Sequence, residues 1–270
     1  MAERASRRHD GSSSIIMLTT GAVCLAVLAL LVTAVLSAQP STGIITDTQP
    51  GLTAEPTTTM EAVRPVAEQI APVLSGRDDA ASGSPVSAAW TATTSEKTGI
   101  GTTAVDAYGR ASLRLATEQP RCRLGWTTLA GIGGIESGHG TSSGAYLLPD
   151  GTTSHPIIGP ALDGTAGAAA IRSDAISARW HGDSQWDHAV GPMQFIPSTW
   201  NTWGADGNGD GDTDPNNIID SAYTAGLYLC ASGADLSTGA GWTRAIFSYN
   251  HSDDYVRSVL ARANRCAGVA

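Results

Sequence analysis

The stretch from Trp126 to Gly140 constrains the fold most strongly, because it combines helical periodicity with one carboxylate on an apolar face. At 100° per residue, the positions that fall on one side of a helix are Leu129, Ile132, Gly133 and Glu136. Glu136 therefore lies on the stripe that the fold would bury. Burial disfavours a charged carboxyl and raises its pKa, and a helix C-terminus just beyond acts in the same direction. A carboxyl of this kind is suited to general acid catalysis.

Three glycines, Gly131, Gly133 and Gly134, lie inside this predicted helix. Each costs about 1 kcal/mol relative to alanine in a helix interior. Their presence predicts that another backbone, or a ligand, approaches the helix closely. The competing interpretation is that Glu136 is a partly exposed residue in the last turn of an ordinary helix.

An apolar run near the N-terminus predicts export. No charged residue occurs from Ile15 to Leu36, a length that can span a bilayer. Three arginines precede the run, and no Lys or Arg follows it before Arg64. The positive-inside rule then places residues 1–14 in the cytoplasm and everything after the run outside. Its length favours an uncleaved signal anchor over residues 15–37, and a signal peptide cleaved near Ser37 is the alternative.

The rest of the chain divides by composition. Residues 38–103 are rich in Thr, Ser, Ala, Gly and Pro without a sustained period, which predicts a disordered linker. Residues 104–270 have ordinary single-domain size and carry a net charge of −6, of which −5 lies between Asp206 and Asp220. A nearly neutral surface with one acidic cluster argues against nucleic acid as a partner.

Helical periodicity predominates in residues 104–270 and few segments alternate with period two, so the predicted fold is mainly α. From Thr141 to Val190 only Ala166 to Ala178 resembles a helix, and an irregular segment of this length is often functional. The other predicted helices are Val105 to Thr117, the Trp126 segment, a short one after Pro197, Ile218 to Cys230, Gly241 to Tyr249 and one capped by Ser252.

A second motif centres on Gln194, which follows the tight bend at Gly191 and Pro192 and is flanked by Met193 and Phe195. A glutamine in apolar surroundings needs partners for its amide donors and its carbonyl. The hydroxyl and acetamido groups of a sugar provide them. The alternative is a glutamine that merely ties down the bend.

An acidic loop follows, with oxygen-bearing side chains at positions 1, 3, 5 and 7 and glycine at position 6, as calcium loops of the EF-hand type require. Position 12, normally Glu, is Asn217, and Asp220 at position 15 is placed to close a longer loop. A solvated turn is the alternative. The predicted Ca²⁺ ligands are Asp206, Asn208, Asp210, Asp212 and Asp220.

The cysteines leave the disulfide pairing open. Cys24 lies in the apolar run, so Cys122, Cys230 and Cys266 remain in an oxidising compartment, where any one of three pairs is permitted. No cysteine or histidine spacing supports a zinc site.

Three motifs in order, Glu136-Ser137, Gly191-Pro-Met-Gln194 and Ser248-Tyr249-Asn250, resemble those of the lytic murein transglycosylases, the lysozyme-like helical domains that cleave the glycan of peptidoglycan. The resemblance covers residues 118–262. The run AVGPMQFIPSTW and the DGNGDG loop are similar to the membrane-bound lytic transglycosylase B group, whose calcium loop is also closed by an aspartate at position 15.

The resemblance implies a single catalytic acid/base, Glu136, with Ser137, Gln194, Tyr249 and Asn250 around the substrate. It implies cleavage of the β-1,4 bond between N-acetylmuramic acid and N-acetylglucosamine with formation of a 1,6-anhydro ring, so that residues 104–270 form the catalytic domain. A structural Ca²⁺ is implied too.

The same resemblance implies a disulfide between Cys122 and Cys230, which leaves Cys266 free. It also sets the expected location: a catalytic domain outside the cell membrane, anchored by residues 15–37, or secreted to the cell wall if the signal is cleaved.

Two other functions stay open at this stage. A lysozyme-type hydrolase would cleave the same bond with Asp183 or Asp187 positioning a water molecule, because an ordinary glycosidase uses two carboxylates. A non-catalytic, calcium-stabilised wall-binding module is the other, and an intact Glu136 on its helix argues against it.

Overall fold

The computed structural model describes residues 84–165 and 169–269. The predicted cytoplasmic tail, the anchor at residues 15–37 and most of the predicted linker lie outside these ranges. Among the residues described, no helix has the length and apolar character needed to cross a membrane.

The described part of the chain is mainly helical, as predicted, with a two-stranded sheet whose strands precede and follow its fourth helix. In chain order the elements are α1 (Ala88–Thr98), α2 (Thr102–Glu118), α3 (Trp126–Glu136), β1 (Ile158–Ala161), α4 (Ala178–His181), β2 (His188–Val190), α5 (Pro197–Trp203), α6 (Ile218–Gly233), α7 (Gly239–Tyr249) and α8 (Asp253–Val269).

Helix α3 is the centre of the core, because every residue from Trp126 to Gly134 is buried. A helix that is apolar on all sides must be covered on all sides, and α2 and α8 pack against it. The α8 backbone comes so close that a Cβ at Gly131 would lie 2.9 Å from the carbonyl oxygen of Val259. The prediction that another backbone approaches the glycines of this helix is therefore confirmed.

Helix α1 overturns part of the predicted linker. Ser87 caps the helix by accepting a hydrogen bond from the Trp90 N–H, and Trp90 is only 8% exposed. Its ring packs edge-on against Trp126 with centroids 5.4 Å apart. The linker prediction is thus wrong for residues 84–103. A short helix without a continuous apolar stripe joins the core here through a few large contacts, with Val86 and Ile100 buried beside Trp90.

The predicted helix from Ala166 to Ala178 is also wrong over its described residues. Residues 169–177 form turns and isolated bridges, pairing Asp163 with Ala170 and Arg172 with Trp186. The carboxylate of Asp174 accepts the N–H groups of Ile176 and Ser177 and so competes with helix formation. Helix α4 begins only at Ala178.

The disulfide joins Cys122, before α3, to Cys230, near the end of α6. The two Cα atoms are 5.2 Å apart across a sequence separation of 108 residues. Cys266 is a free thiol. The predicted pairing is confirmed, and the bond ties the segment leading into α3 to α6.

Replacing Trp90 with alanine tests whether α1 belongs to the folded domain. We expect the free energy of unfolding to fall by about 3 kcal/mol, because a large buried aromatic is lost beside Trp126. Urea denaturation measures the change. The matched control is Thr93→Ala, on the exposed side of the same helix, which should alter stability by less than about 0.5 kcal/mol. Equal stabilities of the two variants would show that residues 84–103 are dispensable.

Candidate active site

Glu136 is the last residue of α3, and the chain turns sharply after it. Gly138 and His139 both adopt left-handed backbone conformations, with φ of 60° and 64°. This turn lets the His139 N–H donate to the carbonyl of Gly133 at 2.9 Å, which closes the helix end in the manner of a glycine-based C-cap. The Glu136 carboxyl is thereby fixed at the end of the most deeply buried helix.

The environment of Glu136 holds the carboxyl in its acid form to unusually high pH. Burial raises its pKa to about 7, and a hydrogen bond from the Tyr255 hydroxyl to Oε1 opposes this by favouring the carboxylate. The direction agrees with the expectation from the apolar stripe. A group with this pKa is present in both protonation states near neutral pH.

Two tyrosines from the C-terminal helices flank this carboxyl. Tyr255, on α8, contacts Glu136 directly, and the Tyr249 hydroxyl, at the end of α7, donates to the carbonyl of Met193 at 2.7 Å. Burial raises the pKa of Tyr249, and the nearby charge of Glu136 raises it further. Tyr255 is not among the site residues predicted from the sequence. A tyrosine on a buried stripe needs a partner for its hydroxyl, and that requirement was the available signal.

Ser137 connects the end of α3 to the bend before Gln194. Its side chain is 1% exposed in total, and its hydroxyl donates to the Pro192 carbonyl at 2.6 Å while accepting the Gly140 N–H at 2.7 Å. These bonds hold two of the predicted motifs together. Substrate contact by Ser137 stays a prediction, because both of its interactions are internal.

Gln194 has a strained backbone, with φ of 51°, and its amide Nε2 donates to the carbonyls of Gly191 at 2.9 Å and Ile157 at 3.3 Å. The amide donors of Gln194 therefore tie down the bend, which was the alternative interpretation of this residue. Its Oε1 faces Gly159, where a Cβ would lie 2.5 Å away. Binding of substrate by Gln194 stays a prediction.

Gln194 and Tyr249 share a small cavity of about 60 Å³ together with Phe195, Ile196, Thr199 and Tyr228. Asn250 follows Tyr249 at the end of α7 and is exposed. The structure thus brings Glu136 next to Tyr249 and Tyr255, and it brings Tyr249 next to Gln194.

The two carboxylates considered for a hydrolase are engaged by histidines. Asp187, which is buried, lies 2.8 Å from His181 Nε2, and Asp183 Oδ2 lies 3.1 Å from His188 Nε2. Asp183 also accepts the N–H groups of Gln185 and Trp186. Hydrogen bonds from these groups, led by Gln185, lower the pKa of Asp183 to about 2. Both carboxylates therefore organise their own loop.

The acidic loop is closed by hydrogen bonds to its own backbone. Asp206 accepts the N–H groups of Gly209 and Gly211, at 2.5 and 2.9 Å. Asp220, 1% exposed at the start of α6, accepts from Gly207, Asn208 and Asp214. Across residues 84–165 and 169–269, no three or more His, Cys, Asp or Glu side chains converge closely enough to hold a metal ion. The predicted ligands share one loop without forming a coordination shell.

Residues 170–246 match the family model of the transglycosylase SLT domain. The matched region contains the Gly191 to Gln194 bend and the acidic loop, and it lies between Glu136 and the Tyr249-Asn250 motif. The predicted resemblance to the transglycosylases is thereby confirmed over these residues. Nothing in the match singles out the membrane-bound B group.

Two solved structures from Escherichia coli are similar to this chain. The lytic transglycosylase Slt35 in complex with bulgecin A is 15% identical, with 71% of this chain and 81% of that chain covered and a TM-score of 0.41. Slt35 in complex with calcium is 15% identical, with 70% and 80% covered and a TM-score of 0.36. Among curated proteins, none matches the sequence.

The raised pKa of Glu136 makes stability depend on pH. The folded pKa of about 7 exceeds the ordinary value of 4.5, so stability from protonation is fully present below pH 4.5 and is lost as pH rises through 7. Glutamine does not titrate. We therefore expect Glu136→Gln to gain about 3 kcal/mol over wild type between pH 4.5 and pH 8, measured by urea denaturation at both values.

Glu118→Gln is the matched control for this prediction. Partial burial raises the pKa of Glu118, but hydrogen bonds from Arg114 and Tyr223 lower it on balance. Its contribution is therefore present above its ordinary pKa and lost as pH falls, so this variant should lose stability relative to wild type at pH 8. A Glu136→Gln variant that follows the same trend would contradict the assignment of a buried, protonated carboxyl.

Proposed function

We propose that this chain is a peptidoglycan lytic transglycosylase in which Glu136 is the only catalytic acid/base. The observation that carries the proposal is one buried carboxyl with a pKa of about 7 at the end of the central helix. A single group that acts first as acid and then as base works best when its pKa lies near the working pH. The match of residues 170–246 to the transglycosylase SLT domain supports the substrate class.

In the proposed reaction the Glu136 carboxylic acid protonates the oxygen of the β-1,4 bond between N-acetylmuramic acid and N-acetylglucosamine. The glycosidic bond to the muramyl C1 breaks, and N-acetylglucosamine leaves as the alcohol. The Glu136 carboxylate then removes the proton of the muramyl 6-hydroxyl, whose oxygen bonds to C1 and closes the 1,6-anhydro ring. The carboxylic acid is regenerated and no water is consumed, so the enzyme is a lyase that serves cell-wall remodelling.

Tyr255 is proposed as the residue that adjusts the proton affinity of Glu136, since its hydroxyl touches the reacting carboxyl. Gln194 and Tyr249 are proposed to contact the sugar from the cavity they share, and Asn250 from its exposed position beside them. Ser137 is proposed to act on substrate indirectly, by fixing the bend at Pro192.

The engaged state of Asp183 and Asp187 favours a lyase over a hydrolase. Each carboxylate is within hydrogen-bonding distance of a histidine in its own loop, whereas a water-positioning base has to be free to accept a proton from water. A purely wall-binding module has no need for a buried carboxyl of raised pKa. Lysozyme-type hydrolysis by these aspartates remains the second candidate.

We also propose a structural Ca²⁺ at Asp206, Asn208, Asp210, Asp212 and Asp220. The donor set consists of carboxylate and amide oxygens, which suit a hard cation. Each carboxylate offers about four lone-pair positions, so the N–H bonds of Asp206 and Asp220 leave room for an ion. The loop connects α5 to α6, and its ordering would fix the segment that follows Gln194.

Residues 15–37 are proposed to anchor the enzyme in the cell membrane, with the catalytic domain on the outer side. The uncharged run and the arginines before it support this orientation. Release into the cell wall by signal cleavage is the alternative. Kinship with the membrane-bound B group is proposed on the motifs alone.

Digestion of purified peptidoglycan with the full-length protein tests the reaction. Mass spectrometry of the muropeptides should show 1,6-anhydromuramyl ends. Products heavier by one water, with reducing ends, would identify a hydrolase. Glu136→Gln should lower the rate by at least about 10³-fold, because no other group is placed to deliver the proton, while Asp187→Asn should retain the anhydro product. An active Glu136→Gln variant would refute the assignment.

Tyr255→Phe should shift the pH–rate profile. The Tyr255 hydroxyl lowers the pKa of Glu136, so its loss raises that pKa further. The alkaline limb, where the acid form disappears, should then move upward by about one pH unit, as expected for one hydrogen bond to a charged group. Tyr249→Phe is the comparison, because its hydroxyl bonds Met193, and its alkaline limb should stay in place whatever its rate. An unmoved limb in Tyr255→Phe would separate Tyr255 from the proton transfer.

Calcium should raise the midpoint of thermal unfolding relative to a chelator, since a ligand at a hundredfold its Kd adds about 2.7 kcal/mol. Asp210→Asn should weaken this effect, and Asp163→Asn, in a different loop, should leave it intact. The absence of any shift at saturating calcium would identify the acidic loop as a solvated turn.

A further inference from the structure

A second cavity, of about 450 Å³, opens between α1, α3 and α8. Ile100 and Ala130 supply apolar wall, and three cationic side chains, Lys97, Arg262 and Arg265, line the remainder. Its volume is within the range of sites for small organic ligands. None of the residues assigned to the active site lines it.

Among the described residues, the cations of this cavity have no acidic partners. Within residues 84–165 and 169–269, neither Lys97, Arg262 nor Arg265 forms an ion pair, and no Asp or Glu is among the residues lining the cavity. Four other arginines of the described residues do form ion pairs: Arg110, Arg114, Arg123 and Arg257. Three uncompensated charges around one concave space produce a positive potential that attracts anions.

A further polar side chain, His139, faces the same space. His139 Nε2 and Arg262 Nη1 both lie beside Gly134. A Cβ added at Gly134 would be 3.0 Å from the His139 atom and 3.1 Å from the Arg262 atom. His139 Nδ1 is 3.1 Å from the Tyr108 hydroxyl. Burial and then Arg262 lower the pKa of His139 to about 4, so the ring is neutral at neutral pH. The imidazole therefore offers a neutral hydrogen-bonding group beside the guanidinium.

We propose that this cavity binds a small organic anion through a carboxylate or phosphate group, held by Arg262 and Arg265, with Lys97 completing the charge. Guanidinium groups match the planar carboxylate and the phosphate by paired hydrogen bonds. Ile100 and Ala130 contact the apolar part of the ligand. The site is separate from Glu136, although Arg262 lies only two helical turns beyond Tyr255 on α8.

Cys266, one turn after Arg262, is a native reporter because its thiol lines the same cavity. The full-length protein is alkylated with iodoacetate, an anion, or with iodoacetamide, its neutral analogue, and the Cys266 peptide is quantified by mass spectrometry separately from Cys24. The ratio of the two rates cancels the thiolate fraction. It therefore reports the local potential alone.

We expect the iodoacetate-to-iodoacetamide ratio at Cys266 to fall by about fivefold or more in the double variant Arg262→Gln, Arg265→Gln. Lys97→Gln, on a different helix, should lower it by a smaller factor. Arg257→Gln is the control, which removes one arginine charge from the exposed side of the same helix, and it should change the ratio less than twofold. A ratio in the double variant equal to that of the control would overturn the proposal.

Binding is tested by protection of Cys266 from iodoacetamide. The probes are inorganic phosphate and N-acetyl-D-alanyl-D-alanine, with the C-terminal amide of that peptide and potassium chloride of equal ionic strength as controls. Protection by phosphate or by the free peptide carboxylate, lost in the double variant, supports the site and identifies which oxyanion it prefers. Equal rates with the probes and with the controls would overturn the proposal.

Discussion

Burial of the Glu136 carboxyl is the constraint on which the rest of the structure depends. Helix α3 carries this half-buried carboxyl at its end, the apolar helix before it is covered on every side, and its glycines allow α2 and α8 to approach closely. The Tyr255 hydroxyl then gives this carboxyl a side-chain partner. Burial nevertheless prevails over this bond, because the pKa stays near 7.

The bend before Gln194 is held to the same helix end from the opposite direction. Ser137 donates to Pro192, and the Tyr249 hydroxyl donates to Met193, so two bonds to backbone carbonyls fix the bend beside Glu136. Gly191 allows it to pack against the acidic loop, since a Cβ there would lie 1.8 Å from the Pro215 carbonyl oxygen. The end of α3, the bend before Gln194 and the acidic loop are far apart in sequence, and contacts with backbone groups hold them together.

The sequence predicted those features whose physical signals lie within a single helix. The bounds of α3, α6 and α7 came within a few residues, because apolar periodicity and terminal glycines act along one helix. Helix α1 was missed since its burial depends on Trp90 meeting Trp126, a contact between separate helices. Tyr255 was missed for the same reason, because its role depends on Glu136, a carboxyl on a different helix. The periodicity of one helix does not show which residues of another helix it will contact.

The position of α8 explains how one helix serves two chemically different regions. Its first turns present Tyr255 to Glu136, where low polarity keeps a carboxyl protonated, and its later turns present Arg262 and Arg265 to the cationic cavity. The intervening Val259 packs against Gly131 between the two regions. Positive charge close to Glu136 would lower its pKa and remove the acid form at neutral pH. Separation of the arginines from Glu136 along α8 is therefore a condition for the role proposed for Glu136, in which one carboxyl acts as both acid and base.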